Sequence, residues 1–435
     1  MECASLGTKK KLIFSILCVF FLLPVSRFTT AEEIDYGGEN TVFSYNKRVY
    51  NKSTQKTEDN TPYILAQSAV LIELKTGAVL YKKNEHKSIP PASLTKLMTL
   101  HLIYNAIEKG KISRDDVVPI SNQAWAINQP RGSSLMFIEP GQRVTVLELM
   151  KGLAVSSGND AAVALAEFHS GSVSAFVEKM NQTAKDLNLS SLSFTDPAGI
   201  KSSNSITAYD FAQFCRIYLN AHPHSLNEIH SLKFFTHPDK DNYTNGKSYT
   251  PIVQENKNPL IGMNPTIDGL KTGYIPSSGY NISVTSKRNG MRLITVILGI
   301  PGKNKTIGNK GRIHDSIALM EYGFGNFHLV KPEIPWDFPK SIIHPTGIKA
   351  VLEVRKIPYV VLPKTVNNFS EYTLKLLSAG FPRPRINSRI GSIYCVFNKK
   401  VFYKIPVYCR DVIIPKTPSS LFSFIKDGFK HHTNP

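Results

Sequence analysis

Runs of apolar residues separated by turn residues mark the start of the patterned part of the chain. Residues 66–83 hold two such runs on either side of a Lys-Thr-Gly sequence at 75–77, which predicts two strands joined by a turn. Much later, apolar runs at 280–288 and 291–299 flank an Asn-Gly pair at 289–290, which is typical of a tight hairpin. The pattern therefore predicts strands at both ends of one long region.

Between and after these strands, apolar residues recur at helical spacing. One helix is predicted to begin at Thr207, because Asp210 three residues later resembles the second half of a capping box. The other predicted helices span residues 94–107, 146–154, 160–167, 173–187 and 311–323. This long region therefore combines helices with strands.

Beyond about residue 328 the sequence changes in character. Proline becomes denser, the helical spacing fades, and short apolar runs of the β type follow one another. A chain of 435 residues also exceeds a single comfortable core, so two domains are expected. We predict five parts, namely a signal peptide at 1–31, a polar lead-in at 32–61, a first domain at 62–327, a smaller β-rich domain at 328–415 and an amphipathic tail at 416–435.

The N-terminus has the composition of an export signal. Lys9–Lys11 precede the apolar run Leu12–Leu23, and small residues end at Ala31. The apolar run is too short for a comfortable membrane-spanning helix. We expect cleavage after about Ala31, with an uncleaved anchor as the alternative, so the protein is expected to work outside the cytoplasm.

The end of the chain has two chemically different sides. When residues 421–430 are placed at about 100° per residue, leucine, isoleucine and the phenylalanines take one side, while serine, aspartate and the lysines take the other. This pattern favours a helix that lies flat in a membrane interface. The alternative is a tail that packs on the second domain.

Net charge and cysteine content limit the possible partners, metal sites and disulfide bonds. The net charge of +19 suits an anionic partner, and the alternative is that the basic residues are simply spread over a solvated surface. No nucleic-acid motif is present, so no nucleic-acid partner is expected, and no cluster of cysteine and histidine has metal-ligand spacing. Cys215 is expected in the core, whereas Cys395 and Cys409 could pair across neighbouring strands.

The first chemical motif is Ser93-x-x-Lys96. A serine hydroxyl is unreactive until a base takes its proton, and a lysine three residues later lies one helical turn away on the same face. Lysine acts as that base only where burial or a neighbouring cation lowers its pKa, and Lys271 is a candidate for the cation. A helix cap followed by a solvated lysine is the common alternative, but the apolar residues that follow predict a buried helix.

The second motif is Ser157-Gly158-Asn159. It follows one apolar helix and precedes another, which predicts a short interhelical loop. There Ser157 can pass a proton to a leaving nitrogen, and Asn159 can hold Lys96 together with a substrate amide. Alone, this tripeptide is more often an ordinary turn with a helix cap.

The third motif is Lys271-Thr272-Gly273, in a short apolar stretch ahead of the hairpin. On an edge strand, the lysine and threonine would face a cleft and bind a carboxylate, while the glycine would let a substrate backbone approach closely. The Lys-Thr-Gly copy at 75–77 precedes the serine motif and lies between strand-like runs, so we interpret that copy as a turn.

In this order the motifs resemble those of the low-molecular-mass penicillin-binding proteins, specifically the serine-type D-Ala-D-Ala carboxypeptidases. The similarity covers roughly residues 62–326 and includes PPASLTKLMT (90–99), GSSLMF (132–137), LMKGLAVSSGNDAAVALAE (149–167), FVEKMNQTAKDLNL (176–189), FTDPAG (194–199), DGLKTGY (268–274) and SGYNISVTSKRNGMRLITVILG (278–299). It implies an α/β (α+β) fold. A penicillin-binding/β-lactamase-like transpeptidase domain, with an antiparallel sheet and flanking helices, is followed by a smaller β-rich domain.

The resemblance also implies a role for each motif residue. Ser93 would form the acyl ester, Lys96 would be the general base, and Ser157 would relay the proton. The implied substrate-binding residues are Asn159, Lys271, Thr272, Gly273, Tyr274 and Arg312. The N–H groups of Ser93 and Tyr274 would form the oxyanion hole, and Arg312 would add charge for the carboxylate. No metal or organic cofactor is implied.

The expected activity is removal of the terminal D-Ala from peptidoglycan pentapeptide stems through an acyl-enzyme intermediate. The expected partners are those stem peptides, β-lactam antibiotics as inhibitors, and the outer face of the cytoplasmic membrane. A DD-endopeptidase that cuts crosslinks is the alternative. A β-lactamase is less favoured, because Glu167 is followed four residues later by Gly171 rather than asparagine. Ile275 departs from the family pattern and leaves the fine shape of the substrate edge open, and Asp196 stands where an Asn-Pro-type turn is common in the family.

Overall fold

The structure is a computed structural model that describes residues 50–51, 56–57, 61–243, 248–344, 347–366, 369–377 and 383–414. The predicted signal peptide at 1–31 and the predicted tail at 416–435 lie outside the described residues, as does most of the lead-in. Within the described ranges, no helix has the length and apolar character needed to cross a membrane.

The described residues up to residue 300 contain eleven strands, five of which build one main sheet. They are β1 (Tyr50–Asn51), β2 (Lys56–Thr57), β3 (Ser68–Glu73), β4 (Val79–Lys83), β5 (Val117–Val118), β6 (Val144–Thr145), β7 (Phe234–His237), β8 (Ile252–Glu255), β9 (Ile267–Ile275), β10 (Gly279–Arg288) and β11 (Met291–Ile300). Five of these strands pair in the order β4-β3-β11-β10-β9, and all neighbours are antiparallel. β9, which carries the third motif, is an edge strand of this sheet.

The two predicted hairpins are confirmed. β3 and β4 pair on either side of the 75–77 turn. β10 and β11 pair around Asn289 and Gly290, whose φ angles of 48° and 79° are both in the left-handed region that a tight hairpin turn requires.

The helices occupy the predicted stretches with shifted ends. They are α1 (Lys96–Glu108), α2 (Val146–Val155), α3 (Asn159–Ser170), α4 (Val173–Asp186), α5 (Ala208–Ala221) and α6 (Lys305–Asn326). α5 begins after Thr207, whose side chain accepts a hydrogen bond from the N–H of Asp210, as expected. α6 begins earlier than predicted, because Asn304 caps it and its first turns carry lysines rather than periodic apolar residues.

The main sheet lies between two layers of helices. β3 is buried along its whole length, and its alternate residues face different cores. Val70 and Ile72 belong to a core formed with α1–α5. Leu71 packs in a second core with residues of α6 such as Leu319 and Met320. An antiparallel sheet with helices on both faces is the α+β architecture expected from the resemblance.

The last part of the chain is rich in strands. They are β12 (Phe327–Val330), β13 (Ser341–Ile343), β14 (Lys349–Glu353), β15 (Val360–Pro363), β16 (Glu371–Leu376), β17 (Arg389–Phe397) and β18 (Lys400–Ile413). One antiparallel sheet has the order β13-β14-β18-β17-β16, and β12 pairs with β15. This sheet has its own hydrophobic core. The exact division of the chain into domains stays a prediction.

The cysteines of this sheet do not form a disulfide. Cys395 lies opposite Tyr403, whereas Cys409 lies opposite Leu352, so the two thiols face different neighbours. Both are free and buried, and Cys215 is a free thiol in the core of the first part. The suggestion that Cys395 and Cys409 pair is therefore wrong.

Candidate active site

Ser93 lies in a tight turn in front of α1. Residues Ala92–Thr95 form one turn of 3₁₀-helix, in which Ala92 has a left-handed φ of 51°. The sequence pattern predicted that the α-helix starts directly after Ser93, and the structure starts it at Lys96 instead. The side-chain amide of Asn281 on β10 donates hydrogen bonds to the carbonyls of Pro90 and Pro91, so the turn is fixed to the sheet.

Lys96 is fully buried, and its ammonium group lies among three oxygen acceptors. Its Nζ is 2.8 Å from Ser93 Oγ, 2.7 Å from Asn159 Oδ1 and 2.7 Å from the carbonyl oxygen of Ala198. Burial lowers the pKa of Lys96 to about 7, even though the charges of Asp196 and Asp160 act in the opposite direction. A substantial fraction of neutral lysine therefore faces the Ser93 hydroxyl at neutral pH.

Asp196 positions one of the three acceptors of Lys96. Its carboxylate accepts hydrogen bonds from the N–H groups of Ala198 and Lys201 at 2.8 and 2.9 Å, and from the side chain of Asn204 at 2.7 Å. Burial alone would raise the pKa of Asp196, but the backbone donors together with Asn204 hold it below its usual value. Asp196, the residue that departs from the family pattern, therefore holds a closed loop beside Lys96.

The second motif occupies the loop between α2 and α3. Ser157 is 3% exposed and has a left-handed φ of 62°. Asn159 is the first residue of α3, and its side chain contacts Lys96 as proposed. A Cβ atom on Gly158 would come within 2.7 Å of Asp160 Oδ1 and 3.0 Å of the backbone nitrogen of Met136, so this close packing requires glycine.

Asp160 is a buried residue whose part in the site the motifs did not predict. Its carboxylate accepts hydrogen bonds from the backbone N–H groups of Met136, Phe137 and Ile138. The N–H of Asn159 donates to the carbonyl of Ser134 at 2.8 Å. Segment 134–138 is therefore fixed against the second motif. The tripeptide motif gave no signal for Asp160, because an aspartate in the first turn of a helix is usually interpreted as an ordinary cap.

The third motif lies on β9 with its lysine buried. Lys271 is 1% exposed, and its pKa is well below the usual value because of burial and then because of repulsion from Lys96, Arg312 and Lys257. Lys96 contributes to the lowered pKa of Lys271, but burial alone lowers the pKa of Lys96, so the expectation that Lys271 is the cation that lowers it is not met. Thr272 is buried beside Lys271, whereas Tyr274 is 48% exposed.

The structure requires glycine at position 273 for a different reason from the predicted one. A Cβ atom at this position would come within 2.6 Å of the carbonyl oxygen of Pro91 and 3.0 Å of the nitrogen of Ser93. The space beside Gly273 is therefore occupied by the turn that carries the nucleophile. The glycine allows this turn to approach β9, which sets the distance between Ser93 and the third motif.

Arg312 on α6 lies directly behind the third motif. Its guanidinium donates to the backbone carbonyls of Gly273 and Asn281 and to the side chain of Asn309, and it lies 5.0 Å from the ring centroid of Tyr280. Burial lowers the pKa of Arg312 to about 10. Its charge therefore lies close enough to Lys271 to contribute to the lowered pKa of that lysine.

The Lys-Thr-Gly copy at 75–77 is a turn, as interpreted. The N–H and hydroxyl of Thr76 both donate to Glu73 Oε2 at 2.8 Å. The ammonium of Lys75 lies 4.2 Å from the ring centroid of Tyr359 in the β-rich part. This copy therefore has a structural role away from Ser93.

Comparison with known proteins agrees with this arrangement. Residues 54–302 match the protein family described as D-alanyl-D-alanine carboxypeptidase. The chain is 42% identical over 235 residues to D-alanyl-D-alanine carboxypeptidase DacF of Bacillus subtilis, an alignment that covers 54% of this chain and 57% of that protein. It is 32% identical over 382 residues to D-alanyl-D-alanine carboxypeptidase DacA of Escherichia coli, which covers 85% of this chain and 89% of that protein.

A solved structure extends the likeness to the three-dimensional fold. Penicillin binding protein 5 from Haemophilus influenzae superposes with a TM-score of 0.70 at 30% sequence identity. The superposition covers 81% of this chain and 98% of that chain, so it includes strands beyond the part that carries the three motifs.

Proposed function

This chain belongs to the D-alanyl-D-alanine carboxypeptidase family, and we propose that it removes the terminal D-Ala from peptidoglycan pentapeptide stems with Ser93 as nucleophile. The observation that carries the proposal is the buried contact of 2.8 Å between Lys96 Nζ and Ser93 Oγ. A lysine with a pKa of about 7 can accept the hydroxyl proton at neutral pH. The same geometry would be useless for a solvated lysine, which stays protonated.

In the proposed acylation, the contact between Lys96 and Ser93 supports the first step, and the roles of Ser157 and Tyr274 are those that the family resemblance implies. Neutral Lys96 takes the proton from Ser93, and Oγ forms a bond to the carbonyl carbon of the penultimate D-Ala. The carbonyl oxygen becomes an oxyanion that the N–H groups of Ser93 and Tyr274 stabilise. When the C–N bond breaks, the leaving nitrogen takes a proton relayed through Ser157. The products are an acyl ester on Ser93 and free D-Ala.

Substrate binding and deacylation use the remaining motif residues. Lys271 and Thr272 bind the terminal carboxylate, whose negative charge favours the protonated form of Lys271 against burial and the neighbouring cations. Asn159 holds the substrate amide as well as Lys96. A water molecule then attacks the ester, its proton passes to Lys96, and the shortened peptide leaves Ser93 with its hydroxyl restored.

β-lactam antibiotics are proposed to acylate Ser93 in the same way, because the similar H. influenzae protein is named as a penicillin binding protein. Glu167 does not supply a deacylating carboxylate, since its Oε2 accepts a hydrogen bond from Ser121 Oγ at 2.7 Å on the far end of α3. The acyl-enzyme formed from a penicillin is therefore expected to persist. Mass spectrometry of the intact protein would detect it as a stable adduct.

The protein is also proposed to work outside the cytoplasm at a membrane surface. The N-terminal export pattern and the two-sided sequence at 421–430 support this location. A peptidoglycan substrate is consistent with such a location, because an exported enzyme would meet it there.

A comparison of two substrates tests the main proposal. The purified protein, Ser93→Ala and the exposed control Ser190→Ala are incubated with a diacyl-L-Lys-D-Ala-D-Ala peptide and with crosslinked muropeptide dimers. We expect D-Ala release by the wild type and by Ser190→Ala, and a loss of at least about 10³-fold in Ser93→Ala. Cleavage of dimers without D-Ala release would identify an endopeptidase instead. Equal activity in Ser93→Ala would rule out the serine mechanism.

A further inference from the structure

The positive charge of this protein is concentrated in its β-rich part. Residues 328–414 hold 14 lysines and arginines against 5 aspartates and glutamates, which gives a net charge of +9. About a fifth of the chain therefore carries nearly half of the total net charge of +19. The three motifs lie on β9 and on the loops and helices of the first part. The proposed catalytic chemistry therefore does not use this charge.

The strand register places two of these lysines on the outward face of the C-terminal sheet. Tyr394 on β17 lies opposite Lys404 on β18 and opposite Thr373 on β16, and Lys375 follows Thr373 by two residues. Ile393, the residue before Tyr394, is fully buried in the core of this sheet. Because side chains alternate along a strand, Tyr394 and the two lysines share the face that points away from that core.

The two ammonium groups lie near one aromatic ring. Lys404 Nζ is 5.2 Å and Lys375 Nζ is 5.5 Å from the ring centroid of Tyr394, within the range of a cation–π contact. Among the residues that the structure describes, neither ammonium group has a hydrogen-bond or ion-pair partner. On the same strand as Lys375, the carboxylate of Glu371 accepts a hydrogen bond from Thr373 at 2.8 Å instead. Both cations are therefore available to an anionic partner.

A third cation extends the positive charge along this face. The guanidinium of Arg389 donates to Ser392 Oγ at 2.8 Å, and Ser392 precedes Tyr394 by two residues on β17. Ser392 in turn lies opposite Lys375 on β16. The outward face of β16–β18 therefore presents Arg389, Lys375 and Lys404 next to one another, and we call it the basic face.

The composition of the basic face favours an anionic polymer over a lipid bilayer. A surface that lies in a membrane interface inserts large apolar side chains. The most exposed large apolar side chains of the β-rich part lie outside its strands, at Trp336, Ile386 and Ile414. The basic face instead combines cations with threonine and serine hydroxyls, which suits charge-assisted contacts with the carboxylates of a polymer.

We propose that the basic face binds peptidoglycan through the carboxylates that its peptide stems carry, separately from the stem that enters the cleft at Ser93. This inference rests on the proposed function for the identity of the polymer, and it adds a second contact to the same substrate. A second contact raises the local concentration of further stems at the enzyme. Each exposed charge contact is weak, so the binding needs several cations and decreases as the salt concentration rises.

Sedimentation with insoluble peptidoglycan measures this contact in the full chain. All proteins carry Ser93→Ala to prevent turnover, and an excess of diacyl-L-Lys-D-Ala-D-Ala peptide occupies the cleft. Lys375→Gln/Lys404→Gln is compared with Lys179→Gln/Lys185→Gln, a control that removes the same charge from two exposed lysines of α4. We expect the first pair to weaken binding by about fivefold to thirtyfold, because two exposed charge contacts together have this effect. The control should weaken binding by less than about twofold.

Further arms separate charge from folding and identify the partner. Lys375→Arg/Lys404→Arg should keep most of the binding, and thermal unfolding shows whether each variant retains its fold. Peptidoglycan whose carboxylates have been converted to amides should bind weakly and equally to the parent and to Lys375→Gln/Lys404→Gln. Vesicles that contain anionic phospholipid should bind these two proteins equally as well.

Two results would overturn the inference. One is equal binding of the parent and Lys375→Gln/Lys404→Gln to unmodified peptidoglycan, and the other is a loss that is confined to the vesicles. With Ser93 present, D-Ala release from the soluble peptide should be unchanged by both lysine substitutions. Absence of that release in the wild type would instead overturn the proposed function, so the two failures are distinguishable.

Discussion

At the scale of single residues, the central feature is a lysine that burial has made into a base. Lys96 keeps three hydrogen-bond acceptors around its Nζ, yet none of them is a carboxylate in direct contact. Asp160 and Asp196 are near enough to raise its pKa, but they use their oxygens to hold backbone N–H groups. The two carboxylates therefore fix the backbone around Lys96, and neither forms an ion pair with its ammonium group.

The first prediction concerns the pH dependence of acylation. Because only neutral Lys96 can take the proton of Ser93, the second-order rate constant for acylation by a penicillin should fall as pH decreases below about 7. The decrease should approach tenfold per pH unit, since one proton must leave the free enzyme. Stopped-flow labelling with a fluorescent penicillin between pH 5 and 9 measures this constant. A constant rate over that range would contradict the assignment of Lys96 as base.

At the scale of elements, the edge strand β9 and the turn in front of α1 form one unit. Their backbones approach closely at Gly273, and Asn281 on the adjacent strand fixes the carbonyls that precede Ser93. The sequence predicted both elements but not their contact. The contact joins residues 180 positions apart and depends on Gly273 having no side chain. A glycine in a motif gave no indication of which backbone would fill its space.

Substitution of Gly273 tests this contact. In Gly273→Ala the added Cβ must displace the carbonyl of Pro91 or the nitrogen of Ser93, and neither is a flexible side chain. We expect kcat/KM for D-Ala release to fall by about 10²-fold, since small misplacement of a reacting group has such effects. The control is Gly325→Ala in α6, where nothing lies within 4 Å of the added Cβ, and its activity should not change. Wild-type activity in Gly273→Ala would show that the turn can move away.

A second contact between elements joins α1 to the end of α5. His101 Nδ1 and His222 Nε2 are 2.9 Å apart, and His222 Nδ1 is 2.6 Å from Glu108 Oε1. The amide of Asn105 lies 3.1 Å from His101 Nε2. If His222 donates to Glu108, its other nitrogen accepts from His101, so the network is complete with both rings neutral. The sequence gives no sign of this network, because His101 and His222 are 121 positions apart.

The histidine network predicts an acid-sensitive fold. Burial lowers the pKa of His101 to about 3 and also lowers the pKa of His222. The unfolded chain therefore takes up protons near pH 6.5 while the folded chain does not, so the free energy of unfolding should decrease as pH falls from about 7 to 4. Urea unfolding at several pH values measures this slope. His101→Phe should reduce the slope, whereas the exposed control His86→Phe should not, and an unchanged slope in His101→Phe would contradict the prediction.

At the scale of the whole molecule, the sequence predicted the type and order of the elements better than their contacts. The hairpin around Asn289 and Gly290 was predictable because its turn chemistry is local. The role of Asp160 was not, because it depends on a segment distant in sequence, at 134–138. The free state of Cys395 and Cys409 also depended on strand register, which composition does not determine.

Membrane association is the prediction that belongs to the whole chain. Residues 421–430 would present an apolar side to lipid, and the excess of lysine and arginine over acidic residues, 52 against 33, would favour an anionic surface. Deletion of residues 416–435 should move the protein from the membrane to the soluble fraction while D-Ala release by the purified enzyme is retained. Recovery of the truncated protein in the membrane fraction would contradict this prediction.

A pair of point variants makes the membrane test specific. Ile425 lies near the centre of the apolar side and Ser423 lies near the centre of the polar side when residues are placed at about 100° intervals. Ile425→Glu and Ser423→Glu add the same charge two residues apart. Only Ile425→Glu should weaken binding to vesicles that contain anionic lipid, because it places a carboxylate in the apolar side. Equal weakening by both variants would indicate that net charge, rather than a two-sided helix, controls the association.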